Sequence, residues 1–147
     1  MRSQKGFTLV EILIVVVILG ILAAIVIPQF TSASTEAKNN SLKADLQTLR
    51  SQIELFKIQH DDTWPGGGMG SLTDVQFVTD MTTRQTYGGK AYGPYMQKVP
   101  ANAFTNSGTM TFVATGSHEN NAAGWNMDPN TGEVHPTDTV HYDDPNY

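Results

Sequence analysis

The sequence contains no cysteine. This absence excludes a disulfide framework, a thiolate zinc site and a cysteine nucleophile, whatever the compartment. Basic residues are also few, because nine Lys and Arg stand against 14 Asp and Glu in 147 residues, a net charge of −5. A chain of this length suits one domain with a modest hydrophobic core.

The few basic residues are unevenly placed along the chain. Arg2 and Lys5 precede a long apolar run, so that seven basic and 13 acidic residues remain after position 28, a net charge of −6. An acidic surface repels phosphate groups, and we therefore expect no nucleic acid partner.

Charge is nearly absent from residues 6–27, where Glu11 is the only ionisable side chain among 22 residues. From Ile12 to Ile27 no residue is polar. A helix rising about 1.5 Å per residue needs about 20 residues to cross the roughly 30 Å hydrocarbon core of a bilayer, so this run can span a membrane. Because a charged side chain costs about 2.5 kcal/mol or more at the centre of such a helix, Glu11 needs a partner.

The residues allow more than one interpretation of this N-terminus. A secretory signal peptide has an apolar core of about 7 to 15 residues and ends in a small-residue cleavage site. Here Ala23 and Ala24 are followed by Ile, Val, Ile and Pro28, which disfavours that interpretation. An uncut single-span anchor would explain the length of the run but would leave Glu11 in lipid.

The junction KGFTLVE, residues 5–11, resembles the class III signal of type IV pilins and of the pseudopilins of type II secretion. The resemblance implies that a prepilin peptidase cuts after Gly6 and N-methylates Phe7. It also implies an assembly role for Glu11, whose carboxylate would bind the α-amino group of Phe7 in the next subunit. A buried carboxylate needs such a positive partner. The alternative is that Glu11 only complements its own helix N-terminus.

One long helix is predicted for residues 7–59, after a cytoplasmic leader of residues 1–6, with residues 7–27 as the transmembrane and assembly segment. Pro28 removes one backbone donor and favours a kink or a local loss of helix. Beyond it, five apolar residues recur at spacings of four and three: Leu42, Leu46, Leu49, Ile53 and Phe56. They predict an apolar stripe packed on a core, because a coiled-coil seam would need more than two heptads.

Residues 60–147 predict a small αβ globule. Positive residues stay in the cytoplasm, so Arg2 and Lys5 place this globule in the periplasm. Ser71 with Asp74 resembles a capping box that opens a short helix.

The rest of the globule is predicted to consist of loops and strands. Residues 87–95 are predicted as loop and residues 109–115 as a half-buried strand, because apolar and polar side chains alternate there. A turn at residues 128–132 predicts a hairpin, and residues 136–147 a loose or surface-wrapped tail. We therefore expect an α+β, pilin-like fold, with a three-stranded antiparallel sheet packed on the second half of the long helix.

The segment GPYMQKVPANAF, residues 93–104, is similar to major pseudopilins of type II secretion. The similarity lies in its Gly-Pro-Tyr, its later proline and its loop entering the sheet. Trp64-Pro65 stands where those proteins commonly have tyrosine-proline, whereas residues 102–104 depart from their Asp-Pro-Trp-Gly pattern.

These resemblances imply a structural, non-enzymatic subunit of a pseudopilus in type II secretion. A surface type IV pilus for adhesion, twitching motility or DNA uptake is the alternative, and an anchored binding domain is a third. The subunit would sit in the inner membrane before it joins copies of itself in a periplasmic or extracellular filament. Its partners would be the prepilin peptidase, an assembly ATPase and an inner-membrane platform protein.

Calcium is the candidate cofactor, because major pseudopilins hold one in a C-terminal loop and oxygen-rich loops bind Ca²⁺. The candidate ligands are Asp128, Asp138, Asp143 and Asp144, with Glu119, Asn120, Asn121 and Asn130 nearby, although no spacing reproduces a full binding loop. A zinc site is disfavoured because His118, His135 and His141 form no His-x-x-x-His pair on a helix. The serines lack an elbow motif, which disfavours a hydrolase.

Overall fold

The computed structural model describes residues 6–67, 72–113, 122–138 and 140–141. Its elements are the helices α1 (Leu9–Gln59) and α2 (Asp74–Thr82) and the strands β1 (Gln85–Tyr87), β2 (Lys90–Tyr92), β3 (Met110–Phe112), β4 (Trp125–Met127) and β5 (Val134–Pro136). β1 and β2 form one sheet, and β3, β4 and β5 form another in that order. Contacts divide the chain into two compact units between Ala37 and Lys38.

The first unit contains the N-terminal part of α1, and the predicted long helix is confirmed. Between Ile12 and Ile27 the large apolar side chains are 45–63% exposed. By length and composition this helix could cross a membrane. The helix continues through Pro28, so the predicted alternative of a local loss of helix is wrong, while the kink stays a prediction.

The second unit is built on the apolar stripe of α1. Leu42, Leu46, Leu49, Ile53 and Phe56 are each at most 4% exposed. They pack against buried side chains of α2 and of the three-stranded sheet, namely Phe77, Met81, Met110, Trp125, Met127 and Val134. Because burying one such side chain contributes about 1.5–3 kcal/mol, the stripe holds the sheet on the helix. The predicted core packing is confirmed and the coiled-coil seam is wrong.

The three-stranded sheet is mixed, and the prediction of an all-antiparallel sheet is wrong. β4 and β5 form the predicted antiparallel hairpin, with Gly132 at φ 74° in its turn. β3 instead runs parallel to β4, with Met110 opposite Trp125. A parallel pair needs a connection of about a dozen residues, and 12 residues separate β3 from β4. β3 is also shorter than the predicted strand, whose last two residues lie outside the described ranges.

The structure has a second hairpin within residues 87–95 and just before them, where the sequence predicts a loop. β1 and β2 pair antiparallel around Gly88 and Gly89, which have φ values of 56° and 79°. A two-residue hairpin turn whose twist matches that of its strands needs positive φ values, which glycine adopts without steric cost. The Gly-Gly dipeptide was the signal that could have found the hairpin.

Helix α2 begins differently from the prediction. Its N-cap is Thr73, whose hydroxyl accepts a hydrogen bond from the backbone N–H of Gln76 at 3.2 Å. The N-cap is therefore Thr73 and not the predicted Ser71, which lies outside the described ranges. The carboxylate of Asp74 accepts a hydrogen bond from the backbone N–H of Met110 at 2.7 Å, because the sheet offers that donor beside the first turn of α2.

Most described residues of the C-terminal tail are packed, which corrects the prediction of a loose or surface-wrapped segment for those residues, whereas Val140 is 72% exposed. Pro136, Thr137, Asp138 and His141 are buried. The hydroxyl of Thr137 donates to the backbone carbonyl of Ala123. The tail is held because its polar groups find partners inside the globule.

Candidate functional site

The N-terminus of α1 is fixed by a reciprocal hydrogen-bond pair. The hydroxyl of Thr8 accepts from the backbone N–H of Glu11, and a carboxylate oxygen of Glu11 accepts from the backbone N–H of Thr8, each at 3.3 Å. This is the capping-box arrangement, which satisfies two donors that a helix end leaves without partners. It explains why α1 begins at Leu9. Sequence reasoning missed it, although the spacing Thr-x-x-Glu was present as the signal.

Glu11 thus has a local partner in Thr8, as the interpretation of Glu11 as a helix-end residue requires. The side chain of Glu11 is also exposed, so its carboxylate is accessible to a second cationic group. An ionised carboxylate has about four acceptor sites, so the capping bond leaves sites at which Glu11 can bind a group of another molecule. Both interpretations of Glu11 therefore fit this geometry.

The predicted cleavage point lies just before the helix. Gly6 and Phe7 precede α1 without regular secondary structure, and the Phe7 side chain is 80% exposed. A Cβ added at Gly6 would meet no atom within 4 Å. The fold of the chain therefore gives no steric reason for glycine at this position. Recognition by a peptidase would supply one, and the roles of Gly6 and Phe7 in cleavage and methylation stay predictions.

The apolar face of the first unit is the largest exposed hydrophobic surface in the described ranges. Phe7, Leu9 and Phe30 extend it, at 75–82% exposure. Soluble monomers rarely expose apolar patches of more than a few hundred Å², so such a surface marks an interaction with lipid or protein. These side chains are exposed among the described residues, so the surface is suited to contact with lipid or with another protein chain.

Two of the four calcium candidates lie in the described ranges, and each one serves a contact within the protein. Asp128 is buried in the β4–β5 turn, where its Oδ1 accepts from the N–H of Asn130 at 2.7 Å. Asp138 contacts Nδ1 of His141 at 2.5 Å and accepts from the side-chain amide of Asn102 at 3.3 Å.

No group of three acidic or histidine side chains that could hold a metal ion occurs among the described residues. The other two calcium candidates, Asp143 and Asp144, lie outside those ranges, as do Glu119, Asn120, Asn121 and His118. Asp128 and Asp138 alone do not make a Ca²⁺ site, which takes six to eight oxygen ligands. Calcium stays a prediction.

Asn102 is a central residue that sequence reasoning treated only as a departure from a pattern. It is fully buried. Its side-chain N–H groups donate to the carbonyl of Gly124 at 2.9 Å and to Asp138, and its Oδ1 accepts from the N–H of Phe104 at 2.8 Å. One amide thus ties the loop after residue 100 to the sheet and to the tail. A buried amide is costly unless it is satisfied in this way.

A cleft of about 380 Å³ lies between α1 and the β4–β5 turn. Arg50, Glu54, Trp64 and Glu133 line it together with His135. Burial lowers the pKa of His135, and the neighbouring Arg50 lowers it further, against the opposing effect of Glu133. Burial also lowers the pKa of Arg50. The cleft thus holds a half-buried cation beside an imidazole whose lowered pKa favours its neutral form.

Comparison with known proteins places these features in a family. Residues 1–27 match the prokaryotic N-terminal methylation motif. The type II secretion system core protein G of Pseudomonas aeruginosa is 46% identical over 59 residues, which cover 40% of this chain and 42% of that protein. Its namesake from Dickeya chrysanthemi is 39% identical over 59 residues and is covered over 39% of its length. The chain thus spans less than half the length of these two relatives.

A third relative is matched over most of both chains. The type II secretion system core protein G of Vibrio cholerae is 30% identical over 106 residues, which cover 72% of this chain and 69% of that protein. No solved structure matches the chain. A match of this extent, together with the N-terminal motif and the exposed apolar helix, shows that the chain belongs to the family of type II secretion system core protein G, the pseudopilins of the pilin superfamily.

Proposed function

We propose that this chain is the structural subunit of a pseudopilus in a type II secretion system, assembled through the N-terminal part of α1. The observation that carries the proposal is the apolar face between Ile12 and Ile27, which is about half exposed at every large side chain. Fully burying one such side chain contributes about 1.5–3 kcal/mol. Removing the whole face from water, into lipid or into a bundle of helices, gives a large driving force that folding of the described residues does not use.

Two environments would cover this face in turn. Before assembly the segment spans the inner membrane, for which its length and composition are sufficient. After assembly the same side chains pack against the helices of neighbouring copies. Since lipid and a helix bundle are comparably apolar, packing between helices and specific polar contacts would decide the transfer.

Glu11 would supply the specific polar contact. Cleavage between Gly6 and Phe7 creates a cationic α-amino group, which is then N-methylated. In a bundle of apolar helices this amine is the partner that the carboxylate of Glu11 in an adjacent copy needs. The exposure of both Phe7 and Glu11 in the single chain supports this pairing.

The remaining parts of the proposal follow from charge and from the family. Arg2 and Lys5 keep the leader in the cytoplasm, so the second unit faces the periplasm. A prepilin peptidase would cut the leader, and an assembly ATPase with an inner-membrane platform protein would drive filament growth. The subunit itself would carry out no catalysis.

A matched pair of substitutions separates the two interpretations of Glu11. Glu11→Gln removes the charge but keeps an acceptor for the capping box, in which glutamine is tolerated. Thr8→Ala removes the cap, at about 0.5–2 kcal/mol of helix stability, but keeps the charge. We expect Glu11→Gln to be cleaved normally and to enter filaments poorly, while Thr8→Ala assembles. Poor assembly of Thr8→Ala with normal assembly of Glu11→Gln would refute the pairing.

The processing step is checked by an intact mass of the membrane-extracted protein. We expect a chain that begins with N-methylated Phe7. A mass that still includes residues 1–6 in all molecules would contradict the proposal and would leave an anchored domain. Deletion of the gene should stop protein secretion and leave other surface filaments intact. Loss of surface filaments with normal secretion would indicate a type IV pilus instead.

A further inference from the structure

The three-stranded sheet has two edges, β3 and β5. An edge strand presents backbone N–H and C=O groups that can pair with a strand of another chain. If copies of this chain lie side by side in a filament, a second copy is the most concentrated partner for such an edge. That side-by-side arrangement rests on the proposed function. The edges themselves exist in the single chain, and strand addition at an edge would compete with ordered association through the helix.

Helix α2 caps one outward backbone group of the β3 edge. The carbonyl of Thr109 accepts from the N–H groups of Gly124 and Trp125, each at 3.1 Å, so Thr109 faces β4. Backbone groups alternate in direction along a strand, and those of Met110 therefore point away from β4. The outward N–H of Met110 donates to Oδ1 of Asp74 at 2.7 Å. A carboxylate from the first turn of α2 thus occupies the place where an added strand would offer its carbonyl.

Helix α1 caps one outward carbonyl of the β5 edge. Glu133 and Thr137, which flank β5, bond to the residues that flank β4, through Asp128 N–H to Glu133 C=O at 2.9 Å and Thr137 N–H to Gly124 C=O at 3.3 Å. By the same alternation, the backbone N–H and C=O groups of Val134 and the C=O group of Pro136 point away from β4. The carbonyl of Val134 accepts from both Nε and Nη2 of Arg50, at 3.2 and 2.7 Å.

Pro136 adds to the protection of β5, since it has no N–H that an added strand could bond. The brevity of β3 and β5, three residues each, adds to the same effect. Arg50 suits its role because the guanidinium presents donors in a fixed fork, which a lysine ammonium does not. Arg50 and Val134 lie 84 positions apart in the chain, so the contact exists only in the folded globule.

We propose that Asp74 and Arg50 are edge guards, which keep a second copy of this chain from adding a strand to the three-stranded sheet. Two side chains from two different helices cap outward backbone groups on the two opposite edges. That arrangement matches the ways in which proteins are known to protect edge strands.

Hydrogen exchange on the full-length protein in detergent micelles tests whether Asp74 protects the amide of Met110 at the β3 edge. Asp74→Ala should accelerate exchange of the Met110 amide about tenfold, because it loses the hydrogen bond to Asp74. Asp74→Asn keeps an accepting oxygen and should leave that exchange near the unsubstituted value. If Asn behaves like Ala, the carboxylate acts through its charge at the helix N-terminus, and the guard is refuted.

Association through strands is measured on the double variant Asp74→Ala, Arg50→Met. We expect intermolecular β structure, read by infrared spectroscopy and thioflavin fluorescence, to form about tenfold faster than in the unsubstituted chain. Each variant is incubated at the same interval below its own melting temperature, so that lower stability alone does not produce the difference.

Two control variants sharpen the result. Arg84→Met removes an exposed cation outside the three-stranded sheet, and Ile53→Val costs about 0.5–1.5 kcal/mol of core stability with both guards in place. Neither should form intermolecular β structure faster than the unsubstituted chain. A double variant that associates no faster than Ile53→Val would overturn the proposal.

Discussion

Helix α1 carries two apolar regions, of which one is exposed and the other is buried. Between Ile12 and Ile27 the large side chains are 45–63% exposed, whereas from Leu42 to Phe56 the apolar stripe is at most 4% exposed. Both regions contain large apolar side chains and have the same helical backbone conformation. The difference teaches that an apolar region of a helix stabilises the fold of its own chain only where the described chain packs against it.

The distribution of apolar residues around the helix accounts for the difference. The first region is apolar on every side, as in a helix that is surrounded by lipid or by other helices. The second region is apolar on one side only, and that side meets α2 and the sheet. Its other sides carry the charged and polar residues that face water.

The largest expected effect comes from truncating one leucine in each region. Leu49→Ala should lower the free energy of unfolding of the second unit by about 2–5 kcal/mol, because Leu49 is fully buried. Leu19→Ala, at a site 58% exposed, should change it by less than about 0.5 kcal/mol. Chemical denaturation of the detergent-solubilised chain, followed by tryptophan fluorescence, measures both. Equal losses would contradict the contrast between the regions.

Calcium removal addresses only the second unit. If Asp143 and Asp144 complete a site with Asp128 or Asp138, Ca²⁺ at about 100 times its dissociation constant adds about 2.7 kcal/mol of stability. A chelator should then lower the melting temperature and leave the helicity of the first unit unchanged. The effect should disappear in Asp143→Asn, Asp144→Asn and persist in Asp62→Asn. An unchanged melting temperature with chelator would refute the calcium prediction.

Glycine substitutions probe how closely each region is packed. Gly132 has φ 74°, and a Cβ there would collide with the indole of Trp64, so Gly132→Ala should cost about 1–3 kcal/mol. Gly20→Ala, in the first region with no atom within 4 Å of the added Cβ, should not lower the stability of the second unit.

A further variant separates backbone strain from the clash with Trp64. Gly89 has φ 79° but open space around its added Cβ. Gly89→Ala should therefore cost only the strain, about 1 kcal/mol. Thermal unfolding of the three variants gives the comparison, and equal costs at Gly132 and Gly89 would exclude a contribution from Trp64.

The smallest expected effect is that of pH on the second unit. The folded-state pKa of His135 is lowered, first by burial and then by Arg50. The unfolded chain, with a histidine pKa of about 6.5, therefore binds the proton first. The contribution of His135 to stability is complete above about pH 6.5 and is lost as pH falls from there towards the folded-state pKa. The melting temperature of His135→Gln should depend less on pH in that window, and an unchanged dependence would contradict the assignment.

The sequence by itself determined the elements whose signal is local. The length of the apolar run, the stripe from Leu42 to Phe56 and the turn at residues 128–132 predicted α1, its buried side and the β4–β5 hairpin correctly. The motif around Gly6 and Glu11 predicted the family. In each case neighbouring residues or a fixed helical spacing carry the information, so no distant contact is needed.

Only the tertiary structure decided features that join distant parts of the chain. The parallel pairing of β3 with β4, the hydrogen bonds of Asn102 and the contact of Arg50 with Val134 each join residues that are far apart in sequence. Spacing does not encode such contacts, because they depend on which surfaces meet when the core closes. The side chains that fill the core come from local patterns, whereas the partners of buried polar groups come from the fold.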